Sequence, residues 1–372
     1  MRGCGNWNNK RGSITILLSV ILVSTVAMAV MFSSYAKQEA EESYHASVTD
    51  IACRSVLSEY DVRLKDDYGI FAFHANENYI GQKINYYISY MDKHSQNMFS
   101  LSNVEVEADI KEYGITDISN FEKEIITAAK YKFFVPRDSS TLVTESGIEL
   151  KNEAIMDSLP SNAFDAKSID LNFSDLKAEG LKGLIAESGE TFLVNSYILS
   201  VFNYKNAAAA GHESYFGYEV EYIIGGLFSD VGNLDKIRRH LVTIRTPVNI
   251  AKIYQDPERS ALALAEAEAL TPGPAAAATQ LAIITAWAIV DAEMDAGTIL
   301  DGEEVDGLSY KDYLAIMLTL QDSETKLVRM MDLMQLNLKG SYYQDFLLSE
   351  YLCGFKVDIS IDGRKYHYVH TY

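Results

Sequence analysis

Proline and cysteine are scarce in this chain, and acids are missing altogether until Glu39. Six prolines in 372 residues, with no low-complexity linker, do not describe a modular array. The three cysteines show no paired Cys or Cys/His spacing, so no zinc motif is present. No Gly-x-x-x-x-Gly-Lys-Ser/Thr phosphate loop, Gly-x-Ser-x-Gly nucleophile elbow or His-Glu-x-x-His zinc helix occurs. Gly211-His212-Glu213 starts like the last of these but continues Ser-Tyr-Phe, which makes His212 a loop residue on this reading. These absences remove the common signatures of nucleotide, serine-hydrolase and zinc chemistry.

What the chain does have is an uninterrupted apolar run. Ile14 to Phe32 holds nineteen residues without charge or proline, preceded by Arg2, Lys10 and Arg11. As a helix it spans about 28 Å, close to the ~30 Å hydrocarbon core of a bilayer. Basic residues before the run and Glu39, Glu41 and Glu42 after it place residues 1–13 in the cytoplasm and the rest outside, as a single-pass protein of the cell membrane. A cleaved secretory signal competes with this anchor, but the run exceeds the ~7–15 residues of a signal core. Ser33-Ser34-Tyr35-Ala36 is also a poor cleavage site. A prepilin-type leader cut after Gly12 is a third option. It lacks the glutamate usual five residues on, where Leu17 stands.

Three of the 32 basic residues precede the anchor, leaving 29 against 52 acids beyond it, a formal charge of −23. That field disfavours nucleic acid and anionic lipid, and favours cations or basic surfaces as partners. Cys4 falls on the cytoplasmic side. Cys53 and Cys353 form either one bridge in an oxidising exterior or two small buried hydrophobes.

Beyond the anchor, Tyr35, Tyr44, Val48, Ile51, Val56 and Leu57 recur at helical spacing, so residues 33–66 are expected to extend the membrane helix as a rod, stopped near Gly69. Residues 67–372 then form an α+β domain with helices dominating. Ile70–Phe73 reads as a buried strand, Asn78–Met98 as a helix, and Val104–Lys111 alternates as a half-buried strand with one acidic face. Residues 119–190 hold helical patterns, with a helical insertion as one option. Phe192–Tyr204 is a buried helix, and Tyr218, Val220, Tyr222 and Ile224 alternate as a second strand ending at Gly225-Gly226. A helix from Asn233 to Tyr254 is broken or kinked at Pro247. Pro274–Asp291 is a buried core helix in preference to a second span, and Tyr310–Asn337 supplies two more helices. Alternation on both sides of Asp362-Gly363 predicts a C-terminal hairpin.

Candidate chemistry is thin. The acids Asp291, Glu293, Asp295, Asp301, Glu303, Glu304 and Asp306, in the segment 291–306, could offer oxygens to calcium or simply form a solvated loop, and their order is not that of an EF-hand. His367 and His370, three apart on a strand, point to opposite faces and are not a metal pair. Tyrosine is abundant, 24 against 2 tryptophans, and Tyr86, Tyr87 and Tyr90 share one helix, as do Tyr342 and Tyr343. Such rows either stack on glycans or partners, or pack as amphipathic side chains. No catalytic, cofactor or metal residue is assigned.

Four stretches, in order, resemble the bacterial domain-of-unknown-function family 5702. They are Gly12-Ser-Ile-Thr with the anchor, Ser58-Glu-Tyr-Asp with Tyr68-Gly-Ile-Phe-Ala, Glu221-Tyr-Ile-Ile-Gly-Gly with Asn233-Leu and the helix through Arg245, and Gly307-Leu-Ser-Tyr-Lys-Asp-Tyr-Leu with Arg329 to Asn337. The family is similar in layout to pseudopilins of tight-adherence (Tad) pilus systems. The resemblance implies a structural or assembly component at the cell surface, not an enzyme, and carries no functional residues. On it rests the leading expectation, a non-enzymatic subunit tethered in the bilayer through residues 14–32 and associating with pilins or itself through the N-terminal helix. Small residues at Thr15, Ser19, Ser24, Thr25, Ala27 and Ala29 permit close helix approach. The alternatives are an extracellular module binding a ligand or calcium, and a surface hydrolase using two convergent carboxylates.

Overall fold

A computed structural model describes residues 8–94, 99, 101–132, 158–163, 189–207, 212 and 214–372. In chain order the elements are α1 (Asn8–Leu57), a π-helical turn (Leu64–Tyr68), β1 (Phe73–His74), α2 (Glu77–His94), β2 (Glu105–Asp109) and α3 (Ile118–Lys132). There follow α4 (Pro160–Ala163), α5 (Glu190–Val201), α6 (Glu219–Gly225), α7 (Asp230–Gln255), α8 (Pro257–Leu270) and α9 (Ala276–Leu300). The chain closes with α10 (Tyr310–Leu320), α11 (Ser323–Ser341), β3 (Tyr351–Leu352), β4 (Gly354–Ile361) and β5 (Arg364–Thr371). The class is α+β, as expected. Most of the expected helical insertion at 119–190 lies outside the described residues, as do residues 95–98 of the second predicted helix.

The chain divides into two compact units. The first comprises 1–59, 76–110 and 355–371. Its sheet has the order β2-β4-β5, with β2 and β4 antiparallel and in register from Glu105 opposite Ser360 to Asp109 opposite Lys356. Strand alternation sets one face inward. Phe355, Val357, Ile359 and Ile361 of β4 are buried, and Val106 and Ala108 of β2 are half-buried. The predicted hairpin is present, with Asp362 and Gly363 both at positive φ (49° and 82°), the conformation a tight two-residue turn requires.

Two helices complete this unit. From α2, Ile80, Ile84 and Ile88 are buried at four-residue spacing. From the C-terminal part of α1, His45, Val48, Thr49, Ala52, Cys53 and Val56 are buried, a stripe at the i, i+3, i+4, i+7 repeat of one helix face. The sequence stripe of Tyr35, Tyr44, Val48, Ile51, Val56 and Leu57 is thus turned by a residue or so, since Tyr35 and Ile51 are exposed. The rod also stops sooner than residue 66: α1 ends at Leu57.

The second unit comprises 60–75, 111–354 and residue 372. It opens on the π-helical turn, where Asp61 accepts from the Arg63 and Leu64 amides (2.8 and 3.0 Å) and Gly69, at φ 73°, closes the end. Ile70, Ala72 and Phe73 are buried as predicted, although only Phe73 and His74 form a strand, paired antiparallel with Leu352 and Tyr351. The remainder is helical. Pro247 is accommodated inside α7, which runs on to Gln255 without breaking. An Ala-rich seam of Ala263, Ile284 and Ala288 packs with Ile253 of α7 to join α7, α8 and α9. The predicted core helix at Pro274–Asp291 is α9, and it is buried on one face only: Ile289 and Val290 are 44% and 59% exposed.

One element is of the wrong type in the sequence reading. Tyr218 to Ile224, expected as a strand, is the helix α6, and all seven of its residues are buried. A helix packed on every side has no solvent face, so its apolar residues need not follow a 3.6 repeat.

Candidate functional site

The N-terminal part of α1 is the first candidate. Its apolar side chains project freely: Val23 is 68%, Phe32 69% and Met31 71% exposed. Among the described residues it is the one helix long and apolar enough to cross a membrane, with a mean hydropathy of 2.6 and none of the span buried. Its hydroxyls are satisfied within the helix. Ser19 donates to the Ile16 carbonyl (2.8 Å), Ser24 to Val20 and Ile21 (both 2.9 Å) and Thr25 to Leu22 (2.9 Å). Polar groups bonded in this way do not oppose transfer into hydrocarbon.

The same helix is locked at its other end. Just past it, Glu59 receives hydrogen bonds from Tyr79 (2.7 Å), Lys83 (2.9 Å) and Tyr87 (2.6 Å), three residues on one face of α2. Partial desolvation works against the Glu59 charge, but the bonds from Tyr87, Tyr79 and Lys83 outweigh it and hold the carboxyl below its ordinary value. On β5, the Tyr368 hydroxyl bonds Thr49 Oγ1 (2.7 Å) and the Ala46 carbonyl (3.0 Å), and Arg364 lies 3.8 Å from Glu41.

The second unit contains a buried polar hub built around α6. Glu219 accepts from the Asn203 amide (2.8 Å) and from Asn337 Nδ2 (2.6 Å), with His212 Nε2 3.2 Å from each of its oxygens. His212 lies outside any helix or strand, as expected of a loop residue, and is a buried partner of Glu219. Glu221 accepts from the Lys205 amide (2.8 Å) and the Tyr310 hydroxyl (2.7 Å), and burial lifts its carboxyl to about 7. The Tyr222 hydroxyl donates to Asp332 (2.9 Å), itself raised by burial to about 6. The C-terminal carbonyls of α6 are held by cations: Arg329 donates to Ile223 and Ile224 (2.8 and 2.9 Å), and Lys236 to Gly225 (3.2 Å). Positive side chains at that end also complement the helix dipole. Gly226 is in the left-handed region at φ 73°, and a Cβ there would run into the Arg329 guanidinium.

The acids of 291–306 do not converge. Asp291 pairs with Arg259 (2.8 Å), Glu293 with Arg238 (3.2 Å) and Asp295 with Arg245 (2.9 Å). Asp306 takes both Arg245 and Lys252 at 2.7 Å. Asp301, Glu303 and Glu304 are exposed on the loop after α9. These carboxylates fasten α9 and its following loop to α7 and α8. Among the described residues no three His, Cys, Asp or Glu are placed to hold a metal ion.

The remaining sequence candidates are also accounted for. His367 contacts Asp358 on the outer sheet face while His370 lies 3.6 Å from Asp50 of α1, so the two histidines do face oppositely. Cys53 and Cys353 are free and buried, with thiols pushed by burial to about 12 and 11. Tyr86, Tyr90 and His94 are stacked along α2, with centroids 6.4 and 4.2 Å apart. Tyr86 and Tyr90 are 62% and 52% exposed.

The hub was not visible in the sequence, because its partners are far apart along the chain. The resemblance was the one signal that could have found it. Glu221–Gly226, Asn233, Tyr310, Arg329 and Asn337 all lie in the third and fourth resembling stretches, and all meet at α6. A family model described as a family of unknown function, DUF5702, matches residues 136–306 and 303–363. The head and the Ser58 to Ala72 stretch lie outside that match. Neither curated proteins nor solved structures give a match. Spanning well over half of the sequence and including the whole α6 hub, the match shows that the chain belongs to the DUF5702 family.

Proposed function

We propose that this chain is a non-enzymatic, membrane-anchored surface protein that serves as a structural or assembly subunit of a Tad-like pilus or secretion apparatus. The observation that carries the reading is α1. One unbroken helix exposes an apolar membrane-length segment at one end and packs its other end on a three-stranded sheet. Such a helix leaves its apolar half available to neighbouring helices in the bilayer while holding a folded unit outside. Lys10 and Arg11 before the span support a cytoplasmic N-terminus by the positive-inside rule. The carboxylates of the α6 hub support a non-catalytic reading, being engaged with one another's neighbours at nearly zero exposure.

In-cell crosslinking tests it. Single cysteines at Ser19, Ser24 and Ala29 in a Cys-free background are expected to yield a periodic ladder of multimers or of heteromers with a pilin. Monomer at all three positions, together with unchanged surface filaments, adhesion and secretion on gene deletion, would defeat the proposal. N-terminal sequencing of the membrane-extracted protein separates an intact leader from cleavage after Gly12.

A second reading, an extracellular binding module, is favoured by a groove of about 180 Å³ on the outer face of the sheet. Glu105 and Glu107 line one side, Lys365 and His367 the other, with Asp358 and Ser360 between them. Its mixed charge suits a small zwitterionic ligand, and chemical-shift mapping with free amino acids is the direct check.

A further inference from the structure

The outer face of the β2-β4-β5 sheet carries its polar side chains in rows. In the antiparallel register Glu105 of β2 lies opposite Ser360 of β4, and Glu107 opposite Asp358. The two-residue turn at Asp362-Gly363 sets Ser360 opposite Lys365 of β5, and Asp358 opposite His367. Two rows therefore cross the groove, Glu105-Ser360-Lys365 and Glu107-Asp358-His367, and all six residues line it. The second row is partly closed on itself, since Asp358 and His367 contact each other. The first is open. Among the described residues, the side chains of Glu105, Ser360 and Lys365 have no hydrogen bond or ion pair. Sheet geometry keeps it so. Neighbouring strands run about 4.8 Å apart and side chains on one face stand nearly upright, so Glu105 and Lys365 rise from points roughly 10 Å apart with Ser360 midway.

We infer that this row binds a dipeptide by its two free ends, with Glu105 on the ammonium, Lys365 on the carboxylate and Ser360 beneath the peptide bond. The inference rests on the reading of the groove as a binding site and adds the length and order of the ligand. Charge-assisted hydrogen bonds of about 2.8 Å at each end leave roughly 4–5 Å for a ligand lying in line, and more for one riding above the side chains. The ammonium nitrogen and the carboxylate carbon are about 2.5 Å apart in a free α-amino acid and roughly 6 Å apart in an extended dipeptide. A single amino acid thus reaches one end or the other unless Lys365 is drawn across the groove. A dipeptide reaches both. Ser360 can donate to the peptide carbonyl or accept from the peptide N–H, and either bond falls between the charged ends. A cation alone leaves Lys365 unmatched, and an anion alone meets Glu105 and Glu107.

Ligand-observed saturation-transfer NMR on the full chain in lipid nanodiscs, with empty nanodiscs as the blank, tests it. Glycylglycine is expected to bind about fivefold more tightly than glycine, N-acetylglycylglycine or glycylglycine amide, each of which forgoes one partly exposed charge contact. The δ-aminovalerate zwitterion, of similar length but without a peptide bond, is expected to fall in between. Lys365→Met should erase the preference for glycylglycine over its amide, and Glu105→Gln the preference over the acetylated form. Ser360→Ala should erase the preference over δ-aminovalerate. All three are surface changes, so the melting temperature is expected to stay unchanged. Equal affinity for glycine and glycylglycine, both lowered by Lys365→Met, overturns the inference and leaves the groove a site for single zwitterions. Binding indifferent to all three substitutions, or absent for every probe, overturns the inference and the groove reading together.

Discussion

Glu221 and Asp332 are both buried carboxyls with raised proton affinity, yet their partners make opposite demands on a substitution. Through one oxygen Glu221 accepts from Lys205 and Tyr310, and its other oxygen has no hydrogen-bond partner among the described residues. A protonated carboxyl, or an amide, leaves that position unpaired as well but carries no buried charge. Its folded value of about 7 exceeds the ordinary 4.5, so its contribution to stability is fully present below pH 4.5 and is lost as the pH rises through 7. Glu221→Gln should therefore flatten the melting profile across that window and raise stability at pH 8, by on the order of 3 kcal/mol at most. An unchanged pH slope would show that Glu221 is not the group responsible. Asp332 instead accepts with both oxygens, from the Ser161 amide and the Tyr222 hydroxyl, each at 2.9 Å. Asp332→Asn must turn a donor toward one of them, and thermal unfolding at pH 8 should show a loss of about 1–3 kcal/mol.

At the level of elements, α6 and the α1–α2 clamp are where side chains decide what the backbone does. Arg329 caps the two penultimate carbonyls of α6, groups that a buried helix end cannot give to water. Arg329→Met keeps the bulk and removes the donors, with an expected cost of about 1.5–3 kcal/mol in denaturant titration. Glu59→Ala strips the acceptor from Tyr79, Lys83 and Tyr87 together. Amide exchange along Glu77–His94 should then accelerate while the second unit is unaffected; exchange confined to wild-type rates would mean that Ile80, Ile84 and Ile88 suffice to hold α2. These elements differ in how far the sequence revealed them. The hairpin at Asp362-Gly363, the helix Tyr310–Leu320 and the strand Glu105–Asp109 were legible because turn chemistry and one-sided burial are local properties, and α11, buried on every side from Thr325 to Leu338, was legible by its length, too great for a strand. α6 was not, because burial on every side erases helical periodicity and left the alternation of Tyr218, Val220, Tyr222 and Ile224 to imitate a strand. The apolar membrane-length segment of α1 was legible from hydropathy alone. The α6 hub was invisible as chemistry, because Glu219 meets Asn337 and Tyr222 meets Asp332 only after the fold has formed, and the calcium option faded because Arg238, Arg245, Lys252 and Arg259 come from helices some 30 to 60 residues upstream.

At the scale of the whole molecule, the acids that give residues beyond the anchor a formal charge of −23 divide their work. Some lie on exposed faces such as Glu105 and Glu107, and others, such as Asp295 and Asp306, tie helices together. The feature with the widest mechanical meaning is the absence of any break in α1 between Phe32 and His45. These twelve residues carry no proline or glycine, and from Phe32 to His45 the helix rises about 20 Å between the membrane-length segment and the first buried position of the sheet-bearing unit. A rod of this kind acts as a driveshaft: torque or axial travel imposed on its apolar end reaches the sheet-bearing unit without slack. One alanine inserted after Ala36 should turn that unit by about 100° and lift it by ~1.5 Å, whereas seven should restore its bearing to within roughly 20°. If assembly depends on the direction in which the unit faces, crosslinking through α1 and surface display should fail with one added residue and return with seven. Equal behaviour of the two insertions would mean that the unit is only carried, not aimed.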